Sequence, residues 1–415
     1  MGEVATQDAA APVARSEAAQ QTRAAILDAA AALFVDRGFG AVSLRDIATA
    51  AGLSHPGVLR HFASKDEILD AVVDDLERQN RAWVEANGVG LDLYTELAAH
   101  NADTPGYTAL FTTLAGEATR SGHPAHQRFR ERHRELRALS TAQFQAALDD
   151  GVLPAGTDVA GEAVRLAAAW DGLQLVSLYL PERVDVPTMV DAHIRRLRGM
   201  AAMEPAAGAR PPRPDGESWA NDTGYAPGRA RRARIIADAS ALFAARGFHA
   251  TSVREIAERA GIGKSTLLHH FSTKEDLLTA VIAHRDSSRD EQLGLDFATA
   301  DAYTLLLDLP EKARDDTRRE PGLIELYSVL SAEAAAPAHP AHAYFGRRFE
   351  LGIARFAELF ARAADDGHLT EGLDPESEAV WLIALWDGLQ LQWLYDPESV
   401  DIGDQLAAHL AQRLR

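Results

Sequence analysis

Apolar residues recur along this chain at helical spacing, not at the alternation of strands, and the pattern is written twice. Ile26, Ala30, Leu33 and Phe34 fall on one face. The run stops at Arg37-Gly38-Phe39, where glycine can take the left-handed C′ conformation and phenylalanine can fold back on the last turn. A second helix is predicted from Ser43-Leu-Arg-Asp46, a capping box, with Ile47, Ala48 and Ala51 on its inner face. Gly52 ends it after about two turns; a short third helix runs to Phe62, and a fourth opens at Ser64-Lys-Asp-Glu67. Two short helices joined through a glycine turn predict a helix-turn-helix, whose second helix enters the DNA major groove. The lysine in the fourth helix's first turn sits where free backbone N–H groups favour a phosphate.

The whole arrangement returns. Residues 23–72 and 232–281 match at a constant offset of 209, with 24 of 50 positions identical. The second copy keeps Arg246-Gly247-Phe248, Ser252-Val-Arg-Glu255, Ile256, Ala257, Ala260, Gly261, Phe271 and Thr273-Lys-Glu-Asp276. Farther on, Trp170-Asp-Gly-Leu-Gln-Leu175 returns as residues 386–391 and His123-Pro-Ala-His126 as residues 339–342, both at an offset of 216. Solenoid repeats run ~20 to 50 residues, so the repeated object is a whole protein, duplicated and fused. Behind the first head, helices are expected over Leu93–Ala118 (broken at Pro105), Phe129–Leu148, Ala163–Leu180 and Val186–Met200. The expected division is a disordered tail 1–19, heads at 20–80 and 229–289, helical bodies at 81–200 and 290–415, and a Pro/Gly/Ala-rich linker at 201–228.

Composition changes this picture at a few points. The chain has no cysteine, which excludes disulfides, thiolate catalysis and cysteine-rich zinc sites. It shows no signal-peptide pattern and no apolar run of membrane-spanning length, so a soluble, cytoplasmic protein is expected. The net charge of −19 argues at first against nucleic acid, but the distribution reverses that. Residues 228–285 balance to +5 and the equivalent 19–76 to −3, and three of the four lysines, Lys65, Lys264 and Lys274, lie in the front segments.

Arg-x-x-Ile, the Arg-Gly-Phe stop, Ser-x-Arg-[Asp/Glu]-Ile-Ala, Ala-Gly-[Leu/Ile] and His-Phe-x-[Ser/Thr]-Lys-[Asp/Glu] together resemble the TetR family of transcriptional regulators, in both copies. The resemblance implies an all-α fold, two tandem TetR-like units, each a three-helix DNA-binding head on a helical body that binds a small effector and dimerises. It implies release from operator DNA when the effector binds. By position, the DNA-facing residues it implies are Ser43, Arg45, Ser54, His55, Gly57, Arg60, His61 and Lys65 in the first copy. In the second they are Ser252, Arg254, Gly263, Lys264, Ser265, Thr266, His269, His270 and Lys274. Both copies carry a leucine, Leu59 and Leu268, where the family often has a phosphate-contacting tyrosine. His61 and His270 also read as packing residues beside their phenylalanines. Because the recognition helices differ at most exposed positions, an asymmetric double-stranded DNA operator is expected.

Aromatics in the bodies, among them Tyr107, Phe111, Phe144, Tyr327, Phe356 and Phe360, read either as the lining of a pocket for an unknown apolar effector or as ordinary core. Trp170, Gly172, Leu173, Trp386, Gly388 and Leu389 lie on the penultimate helices, where the resemblance implies a four-helix dimer interface; packing within each unit is the alternative. The linker length permits an intramolecular pseudo-dimer, against a homodimer with four heads. His-Pro-Ala-His lacks a third ligand nearby, so no metal and no cofactor are expected. Asp149-Asp150-Gly151 and Asp365-Asp366-Gly367 read as helix-ending turns, and no catalytic motif is present. Arg229-Ala-Arg-Arg-Ala-Arg234 reads as an arm that touches phosphates or the minor groove ahead of the second head, or as a cap on that head's first helix. The functional expectation is a ligand-responsive repressor without enzymatic activity; an architectural DNA-binding protein, or a ligand-binding protein with vestigial heads, is the alternative.

Overall fold

The computed structural model describes residues 10–88, 90–200, 226–293, 300–319 and 321–415. Among these there is no strand, only a lone antiparallel bridge between Leu369 and Leu414. The first copy contains α1 Ala10–Ala41, α2 Leu44–Ala50, α3 His55–Leu59, α4 Lys65–Asn87, α5 Asp92–Asp103, α6 Tyr107–Glu117, α7 His126–Asp149, α8 Val159–Tyr179 and α9 Val186–Leu197. The second contains α10 Ala226–Arg246, α11 Val253–Arg259, α12 Lys264–His270, α13 Lys274–Leu293, α14 Ala302–Arg319, α15 Pro321–Glu333, α16 His342–Asp365, α17 Pro375–Tyr395 and α18 Ile402–Ala411.

Residues 1–9 of the expected tail and 201–225 of the expected linker lie outside the described residues. Two boundaries differ from the sequence expectation. α1 begins at Ala10, inside the segment read as tail, because an alanine-rich stretch carries helix propensity without an amphipathic pattern. α10 begins at Ala226, so Arg229–Arg234 is helical.

The local signals act through backbone hydrogen bonds. Ser43 Oγ accepts the Asp46 N–H and the Asp46 carboxylate accepts the Ser43 N–H; Ser252 and Glu255 do the same. The Arg-Gly-Phe stop uses φ of +74° at Gly38 and +77° at Gly247. At Gly38 ψ is 157°, so the residue is not left-handed helical; the chain kinks, and Phe39 to Ala41 stay within α1. α5 and α6 are separated at Pro105-Gly106.

The two copies meet along α8 and α17. A Cβ on Gly172 would lie 1.8 Å from the Ala384 carbonyl oxygen, and one on Gly388 1.7 Å from that of Ala168. Only glycine allows helix backbones so close. Two tyrosines then reach across: the Tyr179 hydroxyl donates to the Ser331 carbonyl and the Tyr395 hydroxyl to the Ala115 carbonyl. Both the donors and the acceptors are 216 residues apart, so the crossing has approximate two-fold symmetry. Leu173 and Leu389 are wholly buried there, whereas Trp170 is only partly buried.

Symmetry fails where sequences differ. Asp396 replaces the first copy's Leu180, and its buried carboxylate takes Arg134 at 2.8 Å, Arg130 at 3.4 Å and Arg137 at 3.6 Å from the other copy. Arg165, buried, pairs with Glu162 at 2.7 Å and Gln405 at 2.9 Å, while Trp381 at its equivalent position stacks on His193. Buried charges of this kind are retained only when paired.

Candidate nucleic-acid interface and ligand cavity

Each head presents its recognition helix, α3 or α12, on an exposed surface. Arg45 and Arg60 are exposed in the first head, with His55 and His61 half-buried. In the second, Arg254, Gly263, Lys264, Ser265 and His269 are exposed, with Thr266 and His270 half-buried. Arg254 reaches back to Glu258 at 2.7 Å. Leu59 and Leu268 keep 42% and 37% of their surface.

Several residues assigned to DNA by resemblance do other work. The hydroxyls of Ser43 and Ser252 close their capping boxes, and Ser54 Oγ accepts the Gly57 N–H at 3.2 Å. Gly57 is buried, with Ser54 Oγ just 3.2 Å from the site of a Cβ. Lys65 is turned inward: Nζ donates to the Phe39 and Val42 carbonyls, both at 2.7 Å, and sits 4.0 Å from the Phe39 ring centroid. Lys274 repeats this with Phe248 and Thr251, at 2.9 Å each. Burial lowers the pKa of both ammoniums. The Phe39 and Phe248 carbonyls also accept the backbone N–H of Val42 and of Thr251, so each lysine adds a second bond to a turn already closed by the backbone. Arg23 and Arg232 brace α3 and α12 from behind, each over a phenylalanine ring and onto the carbonyl of His61 or His270.

The heads join their bodies through a residue pair that the sequence reading passed over. Glu117, at the end of α6, accepts the Phe39 N–H at 2.7 Å; Glu333, at the end of α15, accepts those of Phe248 and His249 at 2.6 and 2.8 Å. Both carboxyls are buried, and burial raises both pKa values, that of Glu333 to about 7. The His-Pro-Ala-His repeats secure the same region: His126 Nδ1 lies 2.8 Å from the Ala118 carbonyl, and His342 Nδ1 2.8 Å from that of Ala334.

The first body holds a solvent-open cavity of about 800 Å³ between α4, α5, α6, α7 and α8. Tyr107 and Phe111 line it with Tyr94 and Trp170, among charged residues such as Glu77, Arg128 and Arg132. Asn101 Oδ1, His133 Nε2, Asp171 Oδ2 and Gln174 Oε1 are buried lining atoms without hydrogen-bond partners. Burial raises the Asp171 carboxyl to about 7 and drives the His133 imidazole down to about 3. Phe144 does not line this space; it is wholly buried in core against Tyr94, as Phe360 is in the second copy. Phe356 packs on the second core, and Tyr327 faces a small cleft of about 30 Å³ between the copies. Where the first body has His133, Ser140 and Ala167, the second has Phe349, Phe356 and Ile383.

Comparison with known proteins adds two profile matches, each occurring twice. The profile described as bacterial regulatory proteins, tetR family, matches residues 26–72 and 235–281. That of the BetI-type transcriptional repressor C-terminal domain matches 92–199 and 316–415. An HTH-type transcriptional repressor of Mycobacterium tuberculosis is 48% identical over 65 residues, 16% of this chain and 32% of that protein, so the chain matches about a third of this relative's length. The HTH-type transcriptional repressor KstR2 of Rhodococcus jostii is 34% identical over 148 residues, 33% of this chain and 70% of the relative. The solved structure of SmeT, repressor of the Stenotrophomonas maltophilia multidrug efflux pump SmeDEF, is 23% identical, covers 44% of this chain and 90% of its own, and has a TM-score of 0.37.

Proposed function

The chain belongs to the TetR family, carrying two fused copies of its head and body, and on that premise we propose a ligand-responsive DNA-binding repressor that acts as a single-chain pseudo-dimer without enzymatic activity. The observation that carries this reading is the reciprocal crossing of α8 and α17. Gly172 and Gly388 are each consumed by the other copy, which leaves neither glycine surface for a second chain.

The division into tail, heads, bodies and linker given by the sequence belongs to this proposal. So do the DNA contacts implied by the resemblance, foremost Arg45, His55, Arg60, Arg254, Lys264, Ser265, Thr266 and His269, which are at least partly exposed and close neither a capping box nor a carbonyl pair. Arginine and lysine suit guanine edges and phosphates, and the exposed Leu59 and Leu268 suit thymine methyl groups. The unlike side chains of the two heads call for unlike half-sites. No helix among the described residues is long and apolar enough to cross a membrane, and a cytoplasmic location is part of the proposal.

In this reading the effector occupies the first body. α4 begins inside the head at Lys65 and lines the cavity with Val73, Leu76 and Asn80; α6 lines it with Tyr107 and ends at Glu117 beneath the head. Asn80 donates to the Tyr107 hydroxyl at 2.6 Å and so couples the two helices. A ligand that favours one arrangement of α4 and α6 shifts the head by its differential affinity. The unpartnered polar atoms favour an effector with an aromatic or apolar body and several polar groups, not a purely apolar one. Footprinting on the DNA flanking the gene tests the proposal: protection of two adjacent, dissimilar half-sites supports it, and tightest binding to a perfect palindrome overturns it.

A further inference from the structure

The second copy alone brings His249, Glu333 and His339 together, with one ligand atom from each within 4.8 Å of the others. We propose that these three side chains form a site for a divalent transition-metal ion of the zinc type, clasping the second head to its body. His249 follows the Arg-Gly-Phe turn of the head; Glu333 ends α15; His339 opens the second His-Pro-Ala-His segment. The rings of His249 and His339 stand 5.1 Å apart, edge to face, and both Nε2 atoms are buried without a hydrogen-bond partner.

Two imidazoles and one carboxylate are the donor set of three-ligand zinc sites that keep a fourth position open. Bonds near 2.0–2.1 Å place tetrahedral ligand atoms roughly 3.3 Å apart, so binding draws the cluster together, and His249, only half-buried, is the member free to move. Glu333 already accepts the Phe248 and His249 N–H groups, which hold it in place as outer-shell contacts do at metal sites. His339 Nδ1 accepts the Ala341 N–H at 3.1 Å, so ligation through Nε2 moves the ring proton and gives up that contact. The first copy keeps Glu117 and His123 but has Gly40 where His249 stands, so it lacks the second histidine, and among the described residues this is the one such cluster.

The test uses the full chain freed of metal with EDTA, titrated with Zn2+ by calorimetry and with Co2+ by its visible absorption. Wild type and His123→Ala are expected to bind one ion per chain, with the intense visible band of tetrahedral cobalt and a raised Tm. His249→Gly, which installs the first copy's residue, is expected to lose the saturable site and both signals; His249→Gln gives the same answer if the glycine variant folds poorly. No saturable binding by wild type, or unchanged binding by the His249 variants, overturns the proposal.

Discussion

Gly172 lies directly against the backbone of Ala384, 212 residues on, so closely that a single methyl group would overlap the carbonyl. Overpacking a helix crossing of this kind costs typically 1–3 kcal/mol. Gly172→Ala and Gly388→Ala should each lower unfolding free energy by about that amount in urea titrations. Unchanged stability in both would mean that α8 and α17 do not pack in solution as they do here.

Lys65 and Lys274 hold two carbonyls each, and this sets their role apart from that of the exposed cations. Lys65→Ala and Lys274→Ala should destabilise the chain by about 1–3 kcal/mol while leaving the salt dependence of DNA affinity nearly unchanged. Arg60→Ala and Lys264→Ala should do the opposite, reducing the slope of log affinity against log salt by about one. A full unit of slope lost in Lys274→Ala without loss of Tm would return that lysine to the phosphate.

Much of each head was legible because its signals are local. A serine three residues before an acid makes a capping box whatever surrounds it, and a glycine after an amphipathic run marks a stop. The same shortness left Ser43, Ser54 and Lys65 open to two roles: a residue type suited to DNA is equally suited to a backbone group next door, and here each holds one. Contacts across the fold left no local trace. Glu117 reaches Phe39 over 78 residues and Asp396 reaches Arg134 over 262. Glu117 and Glu333 did carry one usable signal, since both close a Leu-x-x-Glu-Ala segment that recurs at the offset of 216. Phe144 and Phe356 could not be sorted between core and cavity by spacing, because both roles use the same helix face.

The cavity of the first body depends on small residues on α7 and α8. Ser140→Phe or Ala167→Ile, which copy the second body, should sharply reduce the fluorescence enhancement of an anilinonaphthalene sulfonate dye while DNA affinity is retained. Equal enhancement in wild type and both variants would place the dye, and the cavity's accessibility, elsewhere.

Asp171 gives this cavity a pH signature. Burial raises its carboxyl to about 7 from an ordinary 3.8, so the folded chain holds the proton more tightly than the unfolded one. Its stabilisation is full below the ordinary value and is lost as pH rises towards 7. Asp171→Asn should therefore reduce the fall in Tm between about pH 5 and pH 8, with Glu333, also raised to about 7, keeping part of it. Asp396 has the opposite sign: hydrogen bonding from Arg134 holds it down to about 2, so its stabilisation is present above its ordinary 3.8 and is lost only as pH falls towards 2. A Tm profile in Asp171→Asn parallel to that of wild type would show that Asp171 is ionised in the folded chain.

One chain supplies both halves of the α8–α17 crossing. Light scattering coupled to size exclusion, at micromolar protein and without DNA, measures this directly. A mass near 44.8 kDa, that of a single chain, is the predicted result; a mass of twice that value at all concentrations would contradict the single-chain pseudo-dimer.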